Sequence, residues 1–228
     1  MVDFKIIPFA YCTGQENMTF DESLLEEAIL NNSSTFIFRL YGWKPACVSL
    51  GRNQKLDFLD LSILKSKNID VVTRLTGGRA LLHDKELTYS VVCPQSLLKQ
   101  GQSVMASYKE ISEVLIDAFK ALGLNLSLGG ESVHTNHDYC MLVSTGADLN
   151  YKGRKLIGSV QCRKKGYILQ HGSILFDYDE MLLEKVFKEH VNSSEVVCLK
   201  EIFPDLSFED FVNEFQFVIS EVLSRKLC

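Results

Sequence analysis

Between Arg74 and Asp84 the sequence reads Arg-Leu-Thr-Gly-Gly-Arg-Ala-Leu-Leu-His-Asp, which puts two guanidinium groups, a glycine pair and an imidazole in one short run. A guanidinium is a rigid fork of donors suited to carboxylate, phosphate or carbonyl oxygens, so Arg74 and Arg79 are candidate ligand contacts. Gly77 and Gly78 let the backbone turn sharply and approach a ligand with no Cβ in the way. On residue types alone, a plain strand-to-strand loop is the ordinary reading of such a run. A second kind of chemistry needs a thiol. Cys140 sits in His137-Asp-Tyr-Cys-Met141, a polar, loop-like stretch after Gly129-Gly130. The thiolate is the reactive form, and a free thiol of pKa ~8.5 is only a few per cent ionised at neutral pH. Lowering that pKa by ~1.5 units takes about 2 kcal/mol, within reach of one nearby ammonium. Lys155, at the mouth of the apolar stretch Leu156-Ile157-Gly-Ser-Val160, is a candidate for that ammonium and for proton relay. Cysteines usually pack and strand-end lysines usually face water, so both ordinary readings stay open. His83 and His171 are the other polar candidates. Their ordinary account is a ring donating to a backbone carbonyl across a turn, with His83-Asp84 bracing the glycine loop.

These residues need elements to hold them. A capping-box spacing at Thr19 and Glu22, with Leu24, Leu25, Ala28 and Ile29 on one stripe, predicts a helix over 19–31. Strand-formers predict strands at 35–41, 46–50, 69–74 and 87–93, with a short helix near 59–67. Ser107 and Glu110 predict a helix over 107–122 that Gly123 closes, and strands are expected at 147–151, 155–163 and 167–176. Ser207 caps a last helix with Phe208, Phe211 and Phe215 on one face. Short turns between strands imply antiparallel pairs, so the class is α+β: a mixed, largely antiparallel sheet flanked by helices.

Composition narrows the function classes. The chain of 228 residues, 46% hydrophobic and with a net charge of −5, is expected to form one domain over 1–228 with no general attraction to nucleic acid. No apolar run approaches the ~18 residues of a membrane helix, and the first residues lack the pattern of a signal peptide. Seven dispersed cysteines argue for reduced thiols, hence the cytoplasm, and against a zinc ribbon or a disulfide framework. No metal site and no nucleotide-binding glycine motif is expected. The run from Lys152 to Lys165 carries six basic residues and no acidic one, a positive region suited to acidic partner proteins.

Taken in order along the chain, Asn17-Met-x-x-Asp21-Glu22, Arg39-Leu-Tyr-Gly-Trp-Lys-Pro45, Ser49-Leu-Gly-Arg-Asn-Gln54, Thr76-Gly-Gly-Arg-Ala-Leu-Leu-His-Asp84 with Glu86–Val92, Gly153–Gln161 and Leu169–Leu175 resemble the lipoate-protein ligase and octanoyltransferase superfamily. The resemblance spans about residues 17 to 177 and implies the biotin/lipoate ligase catalytic fold. It also implies a nucleophile at Cys140, the thiol that precedes Gly153-Arg154-Lys155, with Met141 where the family usually has phenylalanine. Lys155 matches the family's active-site lysine. Substrate binding falls to Arg74, Thr76, Gly77, Gly78, Arg79, His83, Gly158, Ser159 and His171. Arg79 stands where ATP-dependent ligases of the superfamily have a third glycine, while Leu75 and Asn53 depart from the usual arginine and phenylalanine. The implied activity is octanoyl transfer from acyl carrier protein, through a Cys140 thioester, to a lysine of a lipoyl-domain or glycine-cleavage H-type protein. The donor is the carrier's octanoyl-phosphopantetheine, and no cofactor is bound. Three other readings stand beside it. One is an ATP-dependent lipoate-protein ligase, against which stand Arg79 and the end of the chain at Cys228, where those ligases usually carry an accessory domain. Another is an amidotransferase between lipoyl domains. The third is a non-catalytic acyl- or lipoyl-domain-binding module.

Overall fold

The structure is a computed structural model that describes residues 2–130, 148–191 and 193–227. It holds two sheets. The larger has seven strands in the order β1-β2-β6-β10-β9-β8-β7, and the smaller has three in the order β4-β3-β5. Their ranges are β1 (Phe4–Cys12), β2 (Phe36–Trp43), β3 (Cys47–Leu50), β4 (Asp70–Thr73), β5 (Leu81–His83), β6 (Glu86–Pro94), β7 (Ser127–Leu128), β8 (Leu149–Tyr151), β9 (Arg154–Lys164) and β10 (Tyr167–Leu175). In the large sheet β1 and β2 run parallel and the other neighbours are antiparallel. The α+β class with a largely antiparallel sheet is therefore as expected. The division into two sheets is not, and it matters, because the space between them forms the candidate site.

One face of the large sheet is covered by α3 (Val104–Ala121) and α6 (Phe208–Leu227), with Phe38, Tyr89, Leu115, Phe119, Phe211, Phe215 and Ile219 in the shared core. At ~25 cal/mol per Å² of apolar surface removed from water, each such fully buried side chain contributes about 1.5–3 kcal/mol. α1 (Gly14–Leu30) packs on the opposite face through Leu24, Leu25 and Ala28 against Val92 and Leu169. The small sheet lies on that face too. Its far side is covered by α2 (Leu61–Ser66) and α4 (Glu180–Phe187), and α5 (Leu199–Ile202) precedes α6.

Several boundaries differ from the sequence reading for identifiable reasons. The first helix starts earlier, because Thr13 and Glu16 form the capping box and Thr19 lies inside the helix, accepting from Gln15. The long third helix is capped by Ser103, whereas Ser107 is buried and its hydroxyl bonds back to Val104 O. Strand β1 escaped the pattern because Pro8 interrupts it. The ladder with β2 is irregular between Ile7 and Ala10, a break that an edge strand tolerates. Strands β5 and β7 and helices α4 and α5 are too short to show a period. Ser207 caps the last helix as expected, its hydroxyl accepting from Asp210 N at 3.1 Å. Among the described residues, no helix is long and apolar enough to cross a membrane.

Candidate active site

Strand alternation decides which side chains face the gap between the sheets. Tyr41 and Trp43 on β2, Thr88 on β6, His171 and Ser173 on β10, and Gly158 and Val160 on β9 sit at alternate positions of one sheet face. Ser49, Leu81 and His83 face them from the small sheet, and Met18, Arg74 and Arg79 complete a narrow cleft. The hydrocarbon of Met18, Leu81, Val160 and the two aromatic rings gives it apolar walls.

The glycine run lies beside this cleft: its neighbours Arg74 and Arg79 line it, whereas Gly77 and Gly78, expected to bind substrate, do not. Gly78 has φ of 87°, a conformation that a Cβ opposes, and an added Cβ would lie 2.8 Å from Val160 Cγ1. Gly51 lets the β3–α2 connection lie directly against the loop, since a Cβ there would stand 1.9 Å from Gly78 O. Arg74 does something other than the sequence suggested. It is buried, and it donates to Ser49 O and Ser49 Oγ at 2.6 Å each, to Gly77 O at 3.1 Å and to Arg79 O at 2.9 Å. Its fork ties the loop to β3, so the reading of Arg74 as an open ligand donor is corrected to a brace that also lines the cleft.

Two buried carboxylates anchor the polar side. Asp21 lies midway along α1's inner face, four residues from Asn17, so both reach β2 together. It accepts from Arg39 Nη1 at 2.8 Å, Tyr41 OH at 2.9 Å and Ser90 Oγ at 2.9 Å, and its Oδ2 lies 3.2 Å from His171 Nδ1. Burial pushes this carboxyl up, but the bonds and charges of His171 and Arg39 outweigh it and hold Asp21 below the usual carboxylate range. Glu86 accepts from Thr88 at 2.7 Å and from Ser173 at 2.6 Å, and its Oε1 lies 3.0 Å from His83 Nδ1. His83 is stacked on Trp43 with centroids 3.9 Å apart, while Trp43 Nε1 donates to Thr88. Burial holds the His83 imidazole below its usual pKa, against the pull of Glu86. The expectation that both histidines bond to backbone carbonyls is corrected. Each ring spans a carboxylate and a hydroxyl, and exposed Asp84 lines a separate shallow depression with Asp177 and Asp179.

The remaining expected residues divide. Arg79, His83, Gly158 and His171 line the cleft, and Thr76 stands behind it, its hydroxyl 2.8 Å from His171 Nε2. Ser159 does not reach the cleft. It sits on the other sheet face with Oγ 2.7 Å from Tyr89 OH. Lys155 is not a solvated strand end, since its side chain is 3% exposed and Nζ lies 3.0 Å from Asp148 Oδ2. Cys140 lies outside the described residues, in the segment between β7 and β8. The basic run also changes meaning. Arg154 pairs with Glu201, Lys164 with Glu26, and Arg163 donates to Gln102 O and Ser107 Oγ, so most of its charge is engaged within the fold rather than presented to a partner. Met18, Tyr41, Trp43, Ser49, Thr88 and Ser173 all fall inside the matched motifs, yet none of them was expected to line the site. The available signal was polar residues at alternate positions inside otherwise apolar strands, as in Val48-Ser49-Leu50 and Leu87-Thr88-Tyr89-Ser90. Among the described residues, no group of His, Cys, Asp and Glu could hold a metal ion.

Known proteins resemble this chain in sequence and in fold. The sequence pattern of the lipoyl protein ligase A/B catalytic domain matches residues 13–219. The chain is 37% identical over 194 residues to "Octanoyltransferase LipM" of Geobacillus kaustophilus, covering 81% of this chain and 69% of that protein. It is 37% identical over 193 residues to the protein of the same name from Clostridioides difficile, covering 82% and 70%. Among solved structures, a bipartite lipoate protein ligase from Thermoplasma acidophilum, studied with its E2 lipoyl domain, superposes with a TM-score of 0.72 at 21% identity, over 98% of this chain and 85% of that one. That likeness shows the fold.

Proposed function

The chain belongs to the lipoyl protein ligase A/B catalytic domain family, and from that premise we propose that it is an octanoyltransferase of lipoate assembly. The observation that carries the proposal is the identity to proteins named octanoyltransferase, at 37% over about four-fifths of the chain. The cleft supports it physically, with apolar walls for an acyl chain and no resident group needed for chemistry on a ready-made thioester. Arg79, where ATP-dependent ligases of the resembling families have a glycine, argues in the same direction.

In this reading the donor is the octanoyl thioester of acyl carrier protein. The Cys140 thiolate attacks the thioester carbonyl. A carbon–sulfur bond forms to Cys140 as the bond to the phosphopantetheine sulfur breaks, and the departing thiolate takes up the proton that Cys140 lost. The amine of an acceptor lysine, on a lipoyl-domain or glycine-cleavage H-type protein, then attacks the acyl-cysteine. The amide bond forms, the carbon–sulfur bond breaks, and the amine's proton returns to the Cys140 sulfur. Lys155 is the group assigned to favour the thiolate and to relay these protons. Two features support that assignment: its buried pairing with Asp148, and its place on the strand that carries Gly158. The E2 lipoyl domain studied with the Thermoplasma ligase supports the class of acceptor.

Intact-protein mass spectrometry after incubation with octanoyl-acyl carrier protein, without nucleotide, tests the proposal. An octanoyl adduct is expected on the wild type and not on Cys140→Ser. Lipoylation of an acceptor that requires ATP and survives Cys140→Ser would place the protein among the ligases instead.

A further inference from the structure

Arg74 stands at the meeting point of two hydrogen-bond chains that begin at different buried carboxylates. A guanidinium only donates. Ser49 Oγ, 2.6 Å from Arg74 Nη1, therefore accepts, and its own hydrogen is left to point at His83 Nε2, 2.7 Å away. That assignment makes His83 Nδ1 the protonated nitrogen, which donates to Glu86 Oε1 at 3.0 Å. The other chain repeats the pattern. Thr76 Oγ1 accepts from Arg74 Nε at 3.4 Å and lies 2.8 Å from His171 Nε2, while His171 Nδ1 faces Asp21 Oδ2 at 3.2 Å. Each hydroxyl thereby links Arg74 to one imidazole–carboxylate pair. The far side of the guanidinium then holds Gly77 O and Arg79 O, the carbonyls that shape the glycine loop.

We propose that Ser49 and Thr76 are positioning residues for the glycine loop, each fixing one edge of Arg74 through a buried carboxylate–imidazole pair, so that the loop's shape at the cleft is set by Glu86 and Asp21. Besides Arg74, the loop is tied by Arg52 N donating to Thr76 O at 3.0 Å and by the close approach of Gly51 to Gly78 O. Gly77 has no atom within 4 Å of where a Cβ would sit, and both glycines are exposed. A side chain that bonds five acceptor atoms from two segments, β3 and its own loop, supplies what glycine cannot, namely a single conformation. The proposal's consequence for acyl transfer rests on the function proposed above, but the geometry of the clamp does not.

The test is hydrogen–deuterium exchange of the 75–80 segment, which reads the loop whether or not the protein moves octanoyl groups. Thr76→Val and Ser49→Ala are each expected to speed exchange in that segment by about tenfold, the size of one lost buried hydrogen bond. Thr76→Ser, which restores the hydroxyl, is expected to return the wild-type rate, and exchange in 111–119 of α3 to stay unchanged throughout. With octanoyl-acyl carrier protein as substrate, Thr76→Val should raise KM about tenfold while Thr76→Ser stays within about twofold. Should Thr76→Val not fold, Arg74→Lys gives the same reading, because an ammonium cannot span both hydroxyls and both carbonyls. Unchanged exchange at 75–80 in folded variants overturns the proposal. So does an increase spread equally over α3, since the two hydroxyls would then hold the whole fold rather than the loop.

Discussion

Converting Asp148 to asparagine removes a charge from the interior while keeping the shape of the side chain. The Lys155 and Asp148 side chains are 3% and 2% exposed, with Nζ and Oδ2 3.0 Å apart. At an effective dielectric of ~20 that separation corresponds to about 5 kcal/mol of Coulomb attraction. Dehydrating the two ions costs several kcal/mol each, so the intact pair contributes little net stability. The asymmetry appears when one partner goes. Asp148→Asn removes the carboxylate that faces the buried ammonium, and a loss of about 3–5 kcal/mol is expected. Domains of this kind have only ~5–15 kcal/mol in total. With urea slopes of ~1–3 kcal/mol/M, the unfolding midpoint should fall by roughly 1–5 M.

The second variant makes the argument refutable. Lys155→Met removes the ammonium instead, with the apolar stem preserved, and should cost a similar amount. The double variant Asp148→Asn with Lys155→Met removes both charges and should recover most of the loss. A double-mutant cycle therefore should show a coupling of at least ~2 kcal/mol. If the two single effects simply add within about 0.5 kcal/mol, the pair does not act as a unit and the electrostatic account fails. The double variant, still folded, also separates stability from chemistry. It should form no octanoyl adduct on Cys140, and adduct formation within a few-fold of wild type would remove Lys155 from the proposed reaction.

Two further outcomes follow from the site. Alanine at Gly51, Gly78 and Gly77 should rank in that order of damage by thermal unfolding. The Cβ at Gly51 meets backbone at 1.9 Å, while that at Gly78 meets a Val160 methyl at 2.8 Å with φ of 87°. At Gly77 it meets nothing within 4 Å. The first two should cost more than ~1 kcal/mol and the third less, and an equal loss at all three would refute the loop geometry. Stability should also depend on pH in two windows. Because the folded His83 pKa is depressed by burial, its contribution is complete above the unfolded value of ~6.5. It declines as pH falls, since the unfolded chain binds the proton first. Asp21, held below the usual range, contributes fully above ~3.9 and loses that contribution as pH falls through its folded value. Urea midpoints that stay flat from pH 7.5 to 5.5 would contradict the first window.

How much of this could be read from the chain depends on where the information lies. Periodicity finds long amphipathic elements, and α3 and α6 were visible because Ile111, Leu115, Phe119, Phe211, Phe215 and Ile219 repeat at helical spacing over several turns. Their starts were less legible. Ser107 imitates a cap, yet the chain enters the helix at Ser103, and only the hydroxyl's actual partner tells the two apart. The edge strand β1 was invisible because its pairing, interrupted at Pro8, depends on β2 rather than on its own pattern. The glycine loop was legible because glycine is chosen for backbone reasons that act locally. Arg74 was legible as a position but not as a role, because its acceptors come from β3 as well as from its own loop.

The same distinction explains why the polar network escaped notice. Asp21, Glu86, His83 and His171 are drawn from α1, β6, β5 and β10, and their hydroxyl partners from β3 and the loop after β4. No spacing rule joins residues 150 positions apart, as His171 and Asp21 are. What joins them is the cost of burying a polar group without a partner, which is ~1–3 kcal/mol for each and more for a charge. Two carboxylates placed under a cleft must gather donors from every strand that passes, and those donors become fixed in turn. The apolar walls left between them are then rigid without being tightly filled. A surface of that kind can take an acyl chain while the glycine loop beside it keeps one shape. The arginine that holds the glycine loop is fixed by the same chain of donors and acceptors, so the loop depends on carboxylates it never touches.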